Sequence, residues 1–124
     1  MIRGIGVDIV STVRIAKWIA RYDTHALSLI FTRDEIEACR KGSHPERRFA
    51  ACFAIKEAVG KALGTGLEGI AWTEIESRSS GGRIGVFLHG AAEKLCASQA
   101  ITNWAVTVTG TDDTVVVAAI AESL

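Results

Sequence analysis

Along residues 2–10 Ile5, Val7 and Ile9 fall on one side and Gly4, Gly6 and Asp8 on the other, a period of two that predicts a strand. The pattern becomes helical over residues 11–21, with Ser11 or Thr12 as N-cap. There Ile15, Trp18 and Ile19 make an apolar stripe, and Arg14, Lys17 and Arg21 place three cations on another face. Thr32-Arg33-Asp34-Glu35 fits a capping box that opens a second helix, with Gly42 as its stop. Pro45, the only proline, starts a third helix of residues 45–63, in which Phe49, Phe53, Ala50, Ala54 and Ala58 allow close packing against a sheet. Residues 70–77 alternate, 79–82 form a turn, and 83–88 return as a hairpin partner. A short helix over 90–99 follows. A second hairpin pairs 103–109 with 114–121 around a turn at 110–113. Its closing run, Val115 to Ile120, is apolar on both faces, as a central or interfacial strand requires. Helices in the first half and hairpins in the second predict an α+β domain spanning residues 1–124.

Composition narrows the function. Lys+Arg and Asp+Glu both number 14, a net charge of +0, which argues against a general nucleic-acid binder. Attraction to an acidic partner must come from a local patch. At 48% apolar residues in 124, the chain is rich for so small a surface, which predicts a homo-oligomer. Cys39, Cys52 and Cys96 show no CxxC spacing and read as free, mostly buried thiols in a reducing compartment. No apolar run approaches the ~18 residues of a membrane span, and Asp8 interrupts the N-terminal apolar stretch where a signal peptide would not. The expected location is the cytoplasm.

Two acidic residues carry the candidate chemistry. Asp8 sits in Gly4-Ile5-Gly6-Val7-Asp8-Ile9-Val10, where the glycines leave its face bare for a bulky ligand to approach the backbone. A loop-capping aspartate is the structural alternative. Glu57 precedes Lys61 by one helical turn in the favourable order, and the structural alternative is a surface ion pair worth about 0.3 kcal/mol. Gly64-Thr65-Gly66 stops the helix and by itself says little about phosphate. If the fold brings Asp8 and Glu57 together, they make an oxygen-lined site for a divalent cation with Lys61 beside it, which suits a diphosphate. The Arg14, Lys17, Arg21 face is either a solvated basic face or a dock for an acidic helix.

These motifs resemble holo-acyl-carrier-protein synthase, the small type of 4′-phosphopantetheinyl transferase, over nearly the whole length. The anchors are Gly4 to Val10, Phe31-Thr32 with Glu35, Arg48-Phe49-Ala50-Ala51, Lys56-Glu57-Ala58 and Lys61 to Gly66. The resemblance implies transfer of the phosphopantetheine arm of coenzyme A to a serine hydroxyl of an acyl carrier protein, with release of adenosine 3′,5′-bisphosphate. It implies the phosphopantetheinyl transferase fold, an antiparallel sheet against a long central helix, and a trimer with active sites between subunits. Asp8 and Glu57 match the family's magnesium ligands. Lys61 matches its lysine near the diphosphate, and the loop from Gly64 lies by the coenzyme. Arg48 is a further candidate for the coenzyme. The helix carrying Arg14, Lys17 and Arg21 is where such enzymes meet the acidic helix of the carrier. Glu57, or a water it orients, is the candidate general base.

Three positions depart from the family pattern. Cys52 stands where an Arg is usual, Ile84 where a Pro is usual, and Gly110 where a His follows a Ser-x-Ser strand, here Thr107-Val108-Thr109. The Arg and His are polar groups of the coenzyme pocket. Asp112, His89, Arg47 or Arg48 are candidates to compensate. The departures also fit a second reading, a homologue with little or no transfer that binds coenzyme A or a carrier. A third is a small oligomeric interaction domain with surface ion pairs.

Overall fold

A computed structural model describes residues 1–124. The order is β1 (Ile2–Ser11), α1 (Thr12–Arg21), α2 (Thr24–Leu27), α3 (Arg33–Arg40), α4 (Pro45–Ala62), a 3₁₀ turn (Trp72–Glu74), β2 (Ile75–Ser80), β3 (Arg83–Leu88), α5 (Gly90–Ser98), β4 (Asn103–Gly110) and β5 (Thr114–Glu122). The strands form two antiparallel sheets, β1-β5-β4 and the hairpin β2-β3. The α+β expectation holds, with two sheets in place of one.

Local chemistry accounts for most boundaries. Ser11 caps α1 by accepting the Arg14 amide at 3.2 Å. The capping box at Thr32 closes both ways: its hydroxyl takes the Glu35 amide at 3.2 Å, and Glu35 accepts the Thr32 amide at 2.8 Å. Pro45 opens α4. Gly64 and Gly66, both at positive φ, turn the chain back after it, and the Gly66 amide reaches the Gly60 carbonyl at 3.0 Å. The helix α2 was not foreseen; Asp23 caps it by accepting the Ala26 amide at 2.9 Å. Residues 72–74 form a 3₁₀ turn where a strand from 70 was expected, and the first hairpin turns at Gly81-Gly82.

β5 is the central strand of its sheet, as its two apolar faces require. Its inner residues Val117, Ala119 and Ala121 are fully buried against α4, together with Ala50, Ala54, Ala58 and Val59 of that helix. The glycine face of β1 has a different use from the one expected. A β-carbon at Gly4 would collide with the carbonyl oxygen of Ala62, and one at Gly6 with that of Ala58. The bare backbone receives α4, not a ligand. This close approach brings Asp8 of β1 under Glu57 and Lys61 of α4. No helix is long and apolar enough to cross a membrane.

Candidate active site

Asp8 and Lys61, 53 positions apart in sequence, meet across the β1–α4 seam. The Lys61 ammonium donates to Asp8 Oδ1 at 3.2 Å and to the Val7 carbonyl at 2.9 Å. Lys61 thus pairs with Asp8, while the i,i+4 ion pair with Glu57 considered from sequence is not formed. Glu57 belongs to the same cluster. Burial pushes its carboxyl above the usual carboxylate range, and the negative charge of Asp8 pushes it further; Lys61 and then Arg14 oppose this. Arg14, expected only on a docking face, is therefore also close enough to influence the acidic pair.

The donor set fits a magnesium ion. Burial first, and then the negative charge of Asp8, disfavour ionisation of Glu57, a cost that a dication would relieve. No third acidic, His or Cys side chain joins them. The remaining positions would fall to water and phosphate oxygens, the ligands Mg²⁺ retains most readily.

On the far side of α4 lies a cavity of about 500 Å³ between α3, α4, the β2-β3 hairpin and β4. Arg48, Ala51, Cys52 and Ile55 supply the helix wall, Ile84 the hairpin wall and Val108 the β4 wall. At 3.6 residues per turn these helix positions face away from Glu57 and Lys61, and α4 with its side chains is about 10 Å thick. Arg48 therefore sits apart from Lys61 and Gly64, with which it was grouped as a coenzyme contact. Two of the three departures, Cys52 and Ile84, line this one cavity. A hydrogen bond with Cys39, then burial and the charge of Glu35, push the Cys52 thiol well up, so it stays neutral.

The compensating candidates are committed elsewhere. Arg47 pairs with Asp112 at 2.6 Å, and His89 Nε2 lies 3.1 Å from Glu76 Oε1. Gly110 is explained by the turn: a β-carbon there would collide with the Thr114 carbonyl oxygen. Arg14, Lys17 and Arg21 are all exposed. Arg14 lies 5.1 Å over the Trp18 ring and Arg21 5.6 Å over Tyr22.

Sequence reasoning missed Lys56, read only as part of a motif. It is fully buried and donates to Glu35 Oε1 at 2.8 Å and to the carbonyls of Trp72 at 3.0 Å and Ile75 at 2.5 Å. Glu35 in turn accepts from the Cys52 thiol and the Ser77 amide, each at 3.0 Å. The available signal was spacing: Lys56 falls three residues after Phe53 and three before Val59, within the apolar stripe.

The α+β fold that positions this cluster is shared with solved holo-acyl-carrier-protein synthases. The enzyme from Neisseria meningitidis superposes with a TM-score of 0.88 at 31% identity, covering 98% of this chain and 99% of that one. The Bacillus anthracis enzyme, solved in complex with coenzyme A (3′,5′-ADP), superposes with a TM-score of 0.80 at 26% identity, covering 100% and 99%. By sequence, a holo-acyl-carrier-protein synthase of Desulforudis audaxviator is 40% identical over 122 residues, 98% of this chain and 93% of that protein. The profile of the 4′-phosphopantetheinyl transferase superfamily matches residues 4–109, and the chain belongs to that family.

Proposed function

We propose that this protein is a Mg²⁺-dependent 4′-phosphopantetheinyl transferase of one domain, moving the phosphopantetheine arm of coenzyme A to a serine of an apo acyl carrier protein. The observation that carries this is the convergence of Asp8, Glu57 and Lys61, from β1 and α4, into one cluster. Asp8 and Glu57 would hold the metal, which supplies neutralising charge for the diphosphate when bound. The serine Oγ attacks the phosphorus that carries pantetheine. The bond from that phosphorus to the bridging oxygen breaks, and adenosine 3′,5′-bisphosphate departs with the electron pair. Lys61, oriented by the Val7 carbonyl, neutralises charge on the diphosphate oxygens. Glu57, or a water that it orients, takes the serine proton.

The sheet supports an assembly of several copies. Ile5, Val7 and Ile9 are 59%, 49% and 66% exposed, and their neighbours across β5 are Ile120, Ala118 and Val116. This apolar outer face is bare on one copy, and the matching occupant is the same face of further copies, as a homotrimer. The cavity holding Arg48 and the acidic cluster lie on opposite sides of α4, so a coenzyme spanning both would lie between subunits, its nucleoside end in the cavity of one and its diphosphate, with Lys61 and the Gly64 loop, on the next. The exposed cations Lys17, Arg21 and Arg14 on α1 form the dock for an acidic carrier helix. Free Cys39, Cys52 and Cys96 fit a reducing, cytoplasmic setting.

The test incubates the protein with coenzyme A, Mg²⁺ and a panel of apo carriers. A carrier mass gain of one phosphopantetheine is expected. No gain with any carrier would sink the transferase reading in favour of a binding protein.

A further inference from the structure

The charges around the α4 cavity bear on donor choice. Its volume, about 500 Å³, lies in the range of small-molecule sites, roughly 300–1,000 Å³. Its inner wall is made of Cys39, Ala51, Cys52, Ile55, Ile84 and Val108, with no cation among them. Lys56, the cation behind this wall, is fully buried and spends its donors on Glu35 and two backbone carbonyls. Glu35 is satisfied by Lys56, Thr32, Cys52 and Ser77, so neither charge is free for a ligand. Two arginines reach the rim, both exposed and both engaged. Arg48 Nη1 donates to the Ala38 carbonyl at 3.2 Å, and Arg78 stacks 4.1 Å over Phe87 while pairing with Glu76 at 3.2 Å. Asp34 at the same rim offsets one of them.

We infer that this cavity takes the adenosine end of the donor without reading its ribose 3′-phosphate, so that dephospho-coenzyme A serves about as well as coenzyme A. The inference rests on the transferase reading above. The wall is apolar and suits a base and ribose. This cavity offers a phosphate dianion only the two rim guanidinium groups, both already engaged, and an exposed ion pair discriminates by no more than about fivefold. A desolvated pair would discriminate by ~30-fold or more, and the inner wall of this cavity carries no cation to make one. The reacting bond is the same in both donors. With the dephospho form, the leaving group is adenosine 5′-monophosphate.

The experiment measures kcat/KM of the full-length protein with each donor, with Mg²⁺ and an apo carrier. A ratio of coenzyme A to dephospho-coenzyme A below tenfold is expected; tenfold or more overturns the inference. If neither donor reacts, the transferase reading fails separately, and calorimetry with adenosine 3′,5′-bisphosphate and adenosine 5′-monophosphate decides. Dissociation constants within tenfold of each other then support a cavity indifferent to the 3′-phosphate. A wider gap, or no measurable binding of either, overturns it.

Discussion

Glu35 and Lys56 form a closed ion pair 2.8 Å apart, with side-chain exposures of 1% and 0%. The pair ties the N-terminus of α3 to α4 and, through the Ile75 carbonyl and the Ser77 amide, to β2. Removing one partner leaves the other charge buried. Lys56→Met is therefore expected to cost about 3–5 kcal/mol, and Glu35→Gln with Lys56→Met much less than the sum of the singles. Urea unfolding of the three variants checks this. Additive losses would show that the two charges do not depend on one another.

Glu57→Gln separates stability from chemistry. A carboxyl raised above its ordinary value of 4.5 favours the fold most when protonated, below that value, and the contribution is lost as pH rises through the folded value. At neutral pH the charge is thus a small cost, discounted because the group is half in water. The variant is expected to unfold no earlier than the parent, with a gain of about 0.5 kcal/mol. Transfer falls by ~100-fold or more. Thermal melts and the carrier assay read the two effects, and transfer at the parental rate would refute the role given to Glu57.

Gly110→His is not expected to restore a coenzyme contact in this fold. The β-carbon collides with the Thr114 carbonyl oxygen, and the turn must shift. The expected cost is about 1–3 kcal/mol with no rise in transfer. Higher activity at unchanged stability would mean the turn opens freely.

Ile9→Lys places a charge on the bare face of β1, where Ile9 stands opposite Val116. The parent is expected to show the mass of three chains by light scattering and the variant that of one, with transfer lost as the assembly separates. A monomeric parent with full activity would remove the inter-subunit site.

Lys17→Glu probes carrier docking more cleanly than Arg14→Glu, because Arg14 also acts on Glu57. The expected result is a KM for the carrier raised by ~5-fold or more at low salt, narrowing as salt increases, with KM for coenzyme A unchanged. Equal effects on both substrates would contradict a dock on α1.

Much of this was legible in the sequence because it is local. The alternation of β1, the cap at Thr32, the proline opening α4 and the apolar run of β5 are settled by neighbours a few residues away. The apolar stripe of α1 reads the same way: Ile15 is 1% exposed, as its spacing required. The 3₁₀ turn at Trp72–Glu74 was not legible, since the same residues alternate as a strand would.

The residue pattern alone picked out Asp8, Glu57 and Lys61 as the candidates for the chemistry, because carboxylates and an ammonium keep their valence and charge wherever they sit. It also placed a thiol and an isoleucine where the resemblance leads one to expect an arginine and a proline. Only the tertiary structure decided what these groups meet. Lys61 turned to Asp8 rather than Glu57, the glycines of β1 received a helix rather than a ligand, and Lys56 went inward to Glu35. The reason is distance along the chain: Asp8 and Lys61 are 53 positions apart, and their contact exists because two glycines on one face of β1 let α4 settle onto it.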